Sequence, residues 1–272
     1  MRKILKYIKK VAMKFGISLQ IGRLTSNKDL IEFINQLKPV KIDKNLIRLG
    51  SQKDGGYLVP DDLAGIEALF SPGVGMSSSL ELDCAANRGI KAFMADASVE
   101  GPVEKHELFH FEKKFIGAID NDEEFMTIEK WIDNADISSD SDLILQMDIE
   151  GYEYETIYSM SLEKLKRFRI ILVEFHQMDM LWNSFYFEKF KNVFLKLTQT
   201  HYVVHIHPNN CCEPINKDGI SIPPVMEFTF IRKDRVKVDG YVEVFPHPLD
   251  VDCAAKKPFS LPKCWYGMND IA

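Results

Sequence analysis

Between residues 68 and 231 the chain alternates short apolar runs with stretches of helical periodicity, and this alternation restricts the fold more than any other feature. Apolar runs at 68–70, 92–95, 114–119, 142–147, 169–175, 201–207 and 226–231 are strand candidates, and the segments 78–87, 123–133, 154–165 and 185–197 read as helices. Parallel strands need long crossovers, which helices supply. The repeat therefore predicts an α/β fold with a mainly parallel sheet and helices on both faces.

Ahead of this block lies an N-terminal helical extension over residues 1–47, containing one amphipathic helix at 2–15 and a second at 27–37. In the first, Ile4, Leu5, Ile8, Val11, Ala12 and Phe15 share one face, while Arg2, Lys3, Lys6, Lys9, Lys10 and Lys14 occupy the other. Such a helix suits either a protein surface (its own domain or a second copy in a homodimer) or an anionic membrane. Packing on protein is the favoured reading. The main domain is expected over 48–244, entered by a hairpin around Asp54-Gly55-Gly56, with an irregular, proline-containing tail packed on it over 245–272.

The formal net charge of −6 argues against a nucleic-acid binder. Five cysteines without a C-x-x-C pair argue against zinc and a disulfide framework. Lysines interrupt the segment where a signal peptide would be apolar, and no apolar run reaches membrane-spanning length. A cytoplasmic protein is expected, at the inner face of the membrane if the first helix meets lipid.

Two constellations carry chemistry. In the first, Pro72-Gly73-Val74-Gly75 follows a strand and precedes a helix, and Asp96 ends the next strand twenty-one positions after Gly75. Glycines permit a sharp turn and close approach of a ligand, and an acid at that distance suits the two hydroxyls of a ribose. Ser78 stands where a dinucleotide fingerprint has its third glycine, which favours a nucleoside without a pyrophosphate over NAD. In the second, Asp148 and Glu150 follow one strand, Glu174 and His176 end the next, and His205 and His207 end another. Ionisable groups at successive strand ends suggest a shared polar crevice. Glu153 and Glu155 read as solvated helix residues.

The segments ILQMDIEGYEYETI and ILVEFH, with TIEKWID at 127–133 and FSPGVGMSSSLELDCA at 70–85, resemble the FkbM-type methyltransferases from about Arg48 to Ile231. The resemblance implies a Rossmann-like class I methyltransferase fold, S-adenosylmethionine as donor, and a hydroxyl acceptor on a small sugar-type molecule. It places Gly73, Gly75 and Asp96 at the cofactor, with Ser77 where a third glycine is frequent, and matches Asp148 and Glu150 to the family's strand-four motif. An acid commonly stands just before the turn; here Phe70 and Ser71 do, and Asp54 is the proposed substitute.

An alcohol needs activation before it attacks a methyl group. His176 or His207 suits a general base, whereas Asp148, Glu174 and His176 together suit a divalent metal ion. The direct base is preferred. The alternatives are a nicotinamide-dependent oxidoreductase, or a non-catalytic Rossmann-like module that binds a partner.

Overall fold

The computed structural model describes residues 2–17, 22–53, 55–121 and 123–268. Asp54, and with it the proposed substitute acid, lies outside them. Seven strands form the central sheet: β1 (Ile66–Pro72), β2 (Lys91–Ala95), β3 (Phe109–Glu112), β4 (Asp142–Met147), β5 (Phe168–Phe175), β6 (His201–Pro208) and β7 (Met226–Arg232). Their order is β6-β7-β5-β4-β1-β2-β3. Neighbours pair in parallel except at β7, which runs antiparallel to both β5 and β6. The order reverses beside β1, the switch point where ligands of doubly wound sheets bind. This is the Rossmann-like arrangement expected, with one inverted strand.

Strands β4 and β5 are almost wholly buried because helices or hairpin cover both faces, which is why their sequences read as unbroken apolar runs. On one face α4 (Ile128–Asn134), α5 (Glu153–Ser159), α6 (Leu162–Arg167) and α7 (Ser184–Thr200) supply the larger core, joined by α2 (Asn27–Gln36). Ser26 caps α2 by accepting from Asp29 N, and Phe33 meets Phe187 and Phe194 edge-on at 5.5 and 5.6 Å. Each such fully buried side chain contributes roughly 1.5–3 kcal/mol. The other face packs against α3 (Ser79–Arg88) and an antiparallel hairpin, Leu46–Gly50 with Gly56–Pro60. Thr229 Oγ1 pins that hairpin by donating to Leu58 O at 2.7 Å.

Three boundaries differ from the sequence pattern. The third strand is Phe109–Glu112, not the run at 114–119. As an edge strand it is only half covered, so it carries no continuous apolar signal. Phe115–Ile116 pairs instead with Phe125–Met126, and α4 starts only at Ile128 because Thr127 accepts from Lys130 N. The helix expected over 154–165 is two helices. Ser161 accepts from Lys164 N and starts a second one, so helix α5 ends at Ser159.

The tail is largely irregular, yet Trp265 is fully buried and donates Nε1–H to Ser221 O at 2.8 Å. Val40–Ile42 pairs with Val238–Tyr241, tying the segment that precedes the sheet to the segment that follows it. Helix α1 (Arg2–Lys14) leaves Ile4 and Ile8 exposed, as is Phe15 in the turn that follows it. Among the described residues, no helix is long and apolar enough to cross a membrane.

Candidate active site

At the carboxyl ends of β1, β2 and β4 lies a cavity of about 290 Å³. Gly73, Asp96 and Ser98 give it a polar wall; Phe115, Ile116, Phe125, Ile149 and Tyr152 give it an aromatic and aliphatic one. Gly73 has φ +89, and a Cβ there would stand 1.8 Å from the Asp148 carbonyl oxygen. Glycine therefore lets the turn after β1 pass over the loop after β4. At Gly75 a Cβ would meet nothing within 4 Å, so the backbone stays open to an incoming group. Asp96 Oδ2 accepts from Val74 N at 3.0 Å, and Oδ1 accepts from Ser98 N and Oγ at 2.7 and 2.6 Å. The acid is thus aimed by the turn it stabilises. One apolar slot beside one oriented carboxylate fits a base and its ribose.

Ser77 lies apart from this cavity. It is exposed, and its Oγ donates to Glu104 Oε1 at 3.3 Å. Sequence reasoning also missed the acid near the turn. Glu81, in the first turn of α3 and buried, holds Oε1 2.5 Å from Ser71 Oγ, which lies 2.5 Å from Gln146 Oε1. Gln146 Nε2 in turn donates to Tyr57 O–H oxygen at 3.2 Å. Burial raises the Glu81 carboxyl, and it raises the Tyr57 phenol well above its usual value, helped by the charges of Asp148, Glu174 and Glu227.

Beside the cavity three donor atoms of Asp148, Glu150 and His176 converge within 4.8 Å of one another. His176 Nε2 lies 3.9 Å from Asp148 Oδ1 and 3.4 Å from Glu150 Oε2. Its other nitrogen, Nδ1, is 3.1 Å from Glu153 Oε1, which also accepts from Ile149 N and Gly151 N at 3.1 and 3.0 Å. Glu153 is 0% exposed. Far from being solvated, it fixes both the strand-four loop and the imidazole ring, because the left-handed turn at Glu150 (φ 57) and Gly151 (φ 107) folds the loop back over its side chain. Glu155 is exposed as expected. Burial alone would lower the His176 pKa. The Glu153 hydrogen bond and the charges of Glu153, Asp148 and Glu174 outweigh it, raising the ring to about 9. In the resting protein the imidazole holds its proton at neutral pH. A positive charge arriving beside these carboxylates would weaken that hold.

Glu174 is not the third member of this cluster; Glu150 is. Alternation along β5 sends the Glu174 side chain to the hairpin face, where it accepts from Asn209 Nδ2 at 2.9 Å and pairs in register with Glu227 of β7. Burial, with the neighbouring Asp148 and Glu227 charges, pushes its pKa up to about 9. His207 is further off. It stands on edge strand β6, three strand spacings or roughly 14 Å from β4. There its Nδ1 lies 3.7 Å from Asp250 Oδ2 of the tail, and His205 Nε2 lies 2.9 Å from Asp250 Oδ1. These two histidines bind the tail to the sheet, and neither is brought to Asp148. The separation follows from the inverted β7, which inserts between β5 and β6.

The family described as the methyltransferase FkbM domain matches residues 27–204. No curated protein matches the sequence at a significant level. Among solved structures, the chain is similar to a human methyltransferase 10 domain containing protein, at 11% identity and TM-score 0.29, over 84% of this chain and 95% of that one. It is also similar to a delta-N METTL16 MTase domain, at 12% identity and TM-score 0.27, over 81% of this chain and 90% of that one. Likenesses so distant say nothing of the site. The match over more than half the sequence does decide the family: the chain belongs to the FkbM methyltransferases, which use S-adenosylmethionine.

Proposed function

We propose that this methyltransferase acts on a hydroxyl oxygen of a small sugar-type acceptor, and that the transfer site is the junction of the nucleoside-shaped cavity with Asp148, Glu150 and His176. One observation carries the reading: Asp148 and Glu150 line the cavity and also face His176 Nε2. The cofactor supplies a methyl group on a positively charged sulfur, a charge that the two acids favour. Asp96 holds the ribose hydroxyls, while Phe115, Ile116 and Ile149 enclose the base. Glu153, itself dry, orients the imidazole through Nδ1. Once the cofactor's positive charge has weakened the ring's hold on its proton and Nε2 has released it, Nε2 takes the acceptor's proton, the arrangement of base and orienting acid that many hydroxyl-activating sites share. Asp148 positions the acceptor, since a carboxylate accepts hydrogen bonds from adjacent hydroxyls.

The three convergent donor atoms also favour a second reading, in which Asp148, Glu150 and His176 hold a divalent ion that would acidify the hydroxyl. Carboxylate and imidazole ligands suit such an ion.

Calorimetric titration tests the cofactor assignment. S-adenosylmethionine is expected to bind in the micromolar range, with NAD giving no heat. Asp96→Asn keeps the shape of the side chain and removes its charge, so binding should weaken at least tenfold, on the order of 1.5–3 kcal/mol for a charged hydrogen bond. Equal affinity in the variant would remove Asp96 from the site. Tight NAD binding would revive the oxidoreductase reading.

A further inference from the structure

A second, larger cavity of about 480 Å³ opens between α5 and α7. Its walls are the aromatic rings of Tyr154, Tyr158, Tyr186 and Phe190, and Gly151 and Gln177 form the end nearest the transfer site. Three features mark it as built for a ligand. First, Tyr154 and Phe190 stack at 3.6 Å and 6°, and the Tyr154 hydroxyl donates to the His176 carbonyl at 2.9 Å. The groove wall and the candidate base thus share one support. Second, the joint between groove and transfer site holds Glu150 and Gln177, both at φ 57, a conformation that side-chain-bearing residues adopt at a cost and that clusters where function requires it. A Cβ on Gly151 would come within 3.0 Å of Gln177 Nε2, so glycine allows the amide to lie there. Third, the side-chain amides of Gln177 and Asn192 are exposed and have no hydrogen-bond partner among the described residues.

We propose that this groove binds the unit next to the methylated one, and that this unit is a neutral, polyhydroxylated ring. The C–H face of such a ring stacks on aromatic faces, whose quadrupole presents negative potential, and its hydroxyls suit the two amides. The balance of charge in the lining favours a neutral unit over a phosphorylated one. The two ionic side chains of the lining, Lys189 and Glu155, are of opposite sign, and Lys189 Nζ is engaged over the Phe185 ring at 4.5 Å. The acceptor is then at least two sugar units long. The inference rests on the Asp148–His176 cluster being the transfer site.

Saturation-transfer NMR with methyl glycosides and matching neutral trisaccharides of glucose, galactose, mannose and rhamnose tests it, with and without S-adenosylhomocysteine. At least one trisaccharide should bind tenfold or more tightly than its monosaccharide. Tyr158→Ala, at a side chain 62% exposed, and Asn192→Ala should cancel that advantage and leave S-adenosylhomocysteine affinity unchanged. A trisaccharide that gains nothing, that binds the variants equally well, or that binds only when phosphorylated overturns the proposal. Failure of S-adenosylhomocysteine to bind wild-type protein would instead strike the transfer-site reading, and the titrations without it still decide the groove.

Independently, helix α1 points to an anionic lipid surface as its partner. Ile4, Ile8 and Phe15 are 64%, 43% and 77% exposed on one face. Lys6, Lys10 and Lys14 stand on the other without an ion-pair partner among the described residues, and the helix contains no acid. A second copy of this helix would offer those lysines only more positive charge, whereas anionic headgroups neutralise it. The protein should sediment with phosphatidylglycerol-containing vesicles, less so at high salt and weakly with pure phosphatidylcholine. Ile4→Asp/Ile8→Asp should reduce sedimentation at least tenfold. Indifference to phosphatidylglycerol, or a dimer that the double variant breaks with no vesicle binding, would overturn it.

Discussion

Gly73→Ala should abolish S-adenosylmethionine binding and lower the melting midpoint by about 10 °C. The added methyl would meet the Asp148 carbonyl oxygen at 1.8 Å, a backbone atom that cannot rotate away. Neither partner can retreat cheaply, because Gly73 N donates to Ala95 O at 3.0 Å and Asp148 N to Pro72 O at 3.4 Å. Overpacking costs about 1–3 kcal/mol, and a left-handed conformation about 1–2 kcal/mol for a residue with a side chain. For a chain this long, each kcal/mol moves the midpoint by roughly 2–4 °C. The turn that carries Val74 N to Asp96 would be displaced along with Asp148, so both walls of the cavity shift together. Gly75→Ala is the control. A Cβ there enters open space, so the melting midpoint should hold. If differential scanning calorimetry finds the two variants equally unstable, the close crossing of the two loops is not what makes Gly73 necessary.

Replacing His176 with alanine should lower kcat by on the order of 10²–10⁴ while leaving the S-adenosylmethionine Kd within twofold, the size expected for loss of a positioned acid or base. Glu153→Gln should lower kcat in the same direction by less. The glutamine oxygen can still accept one backbone N–H, but the amide no longer supplies the charge that holds the ring. Single-turnover rates and calorimetry together check this split between chemistry and binding. Dialysis against a chelator separates the two ways of activating the hydroxyl. Activity that survives it supports direct proton transfer to His176; activity lost and restored by Mg²⁺ or Mn²⁺ supports ion binding at Asp148, Glu150 and His176. Unchanged kcat in His176→Ala would remove the residue from both.

The sequence and the structure divide these claims unevenly. Strands such as Asp142–Met147 were legible to the residue, because a strand buried on both faces is a continuous apolar run between polar ends. The glycine turn and Asp96 were legible because a sharp turn and an acid at the end of the next strand lie within one local unit. Edge strand Phe109–Glu112 was not, since half its side chains face water and the pattern fades. The break at Ser161 hid inside a helix-compatible composition, although its hydroxyl cap was present in the sequence.

What the sequence by itself determined is the fold class, the family and the neighbourhood of the glycine turn, all of which rest on local periodicity and short-range backbone chemistry. Only the tertiary structure decided which polar groups meet. Glu153 looked like a solvated helix residue until the left-handed turn at Glu150 and Gly151 folded the loop over it and onto His176. Glu174, two residues from His176 in sequence, faces Glu227 and Asn209 instead: it is still held in the sheet in register with an inverted neighbour, whereas the strand ends at Phe175 and the loop beyond it carries His176 away. The same inverted neighbour left His207 with the tail. Strand order, register and desolvation are properties of the whole sheet, and no window of sequence contains them.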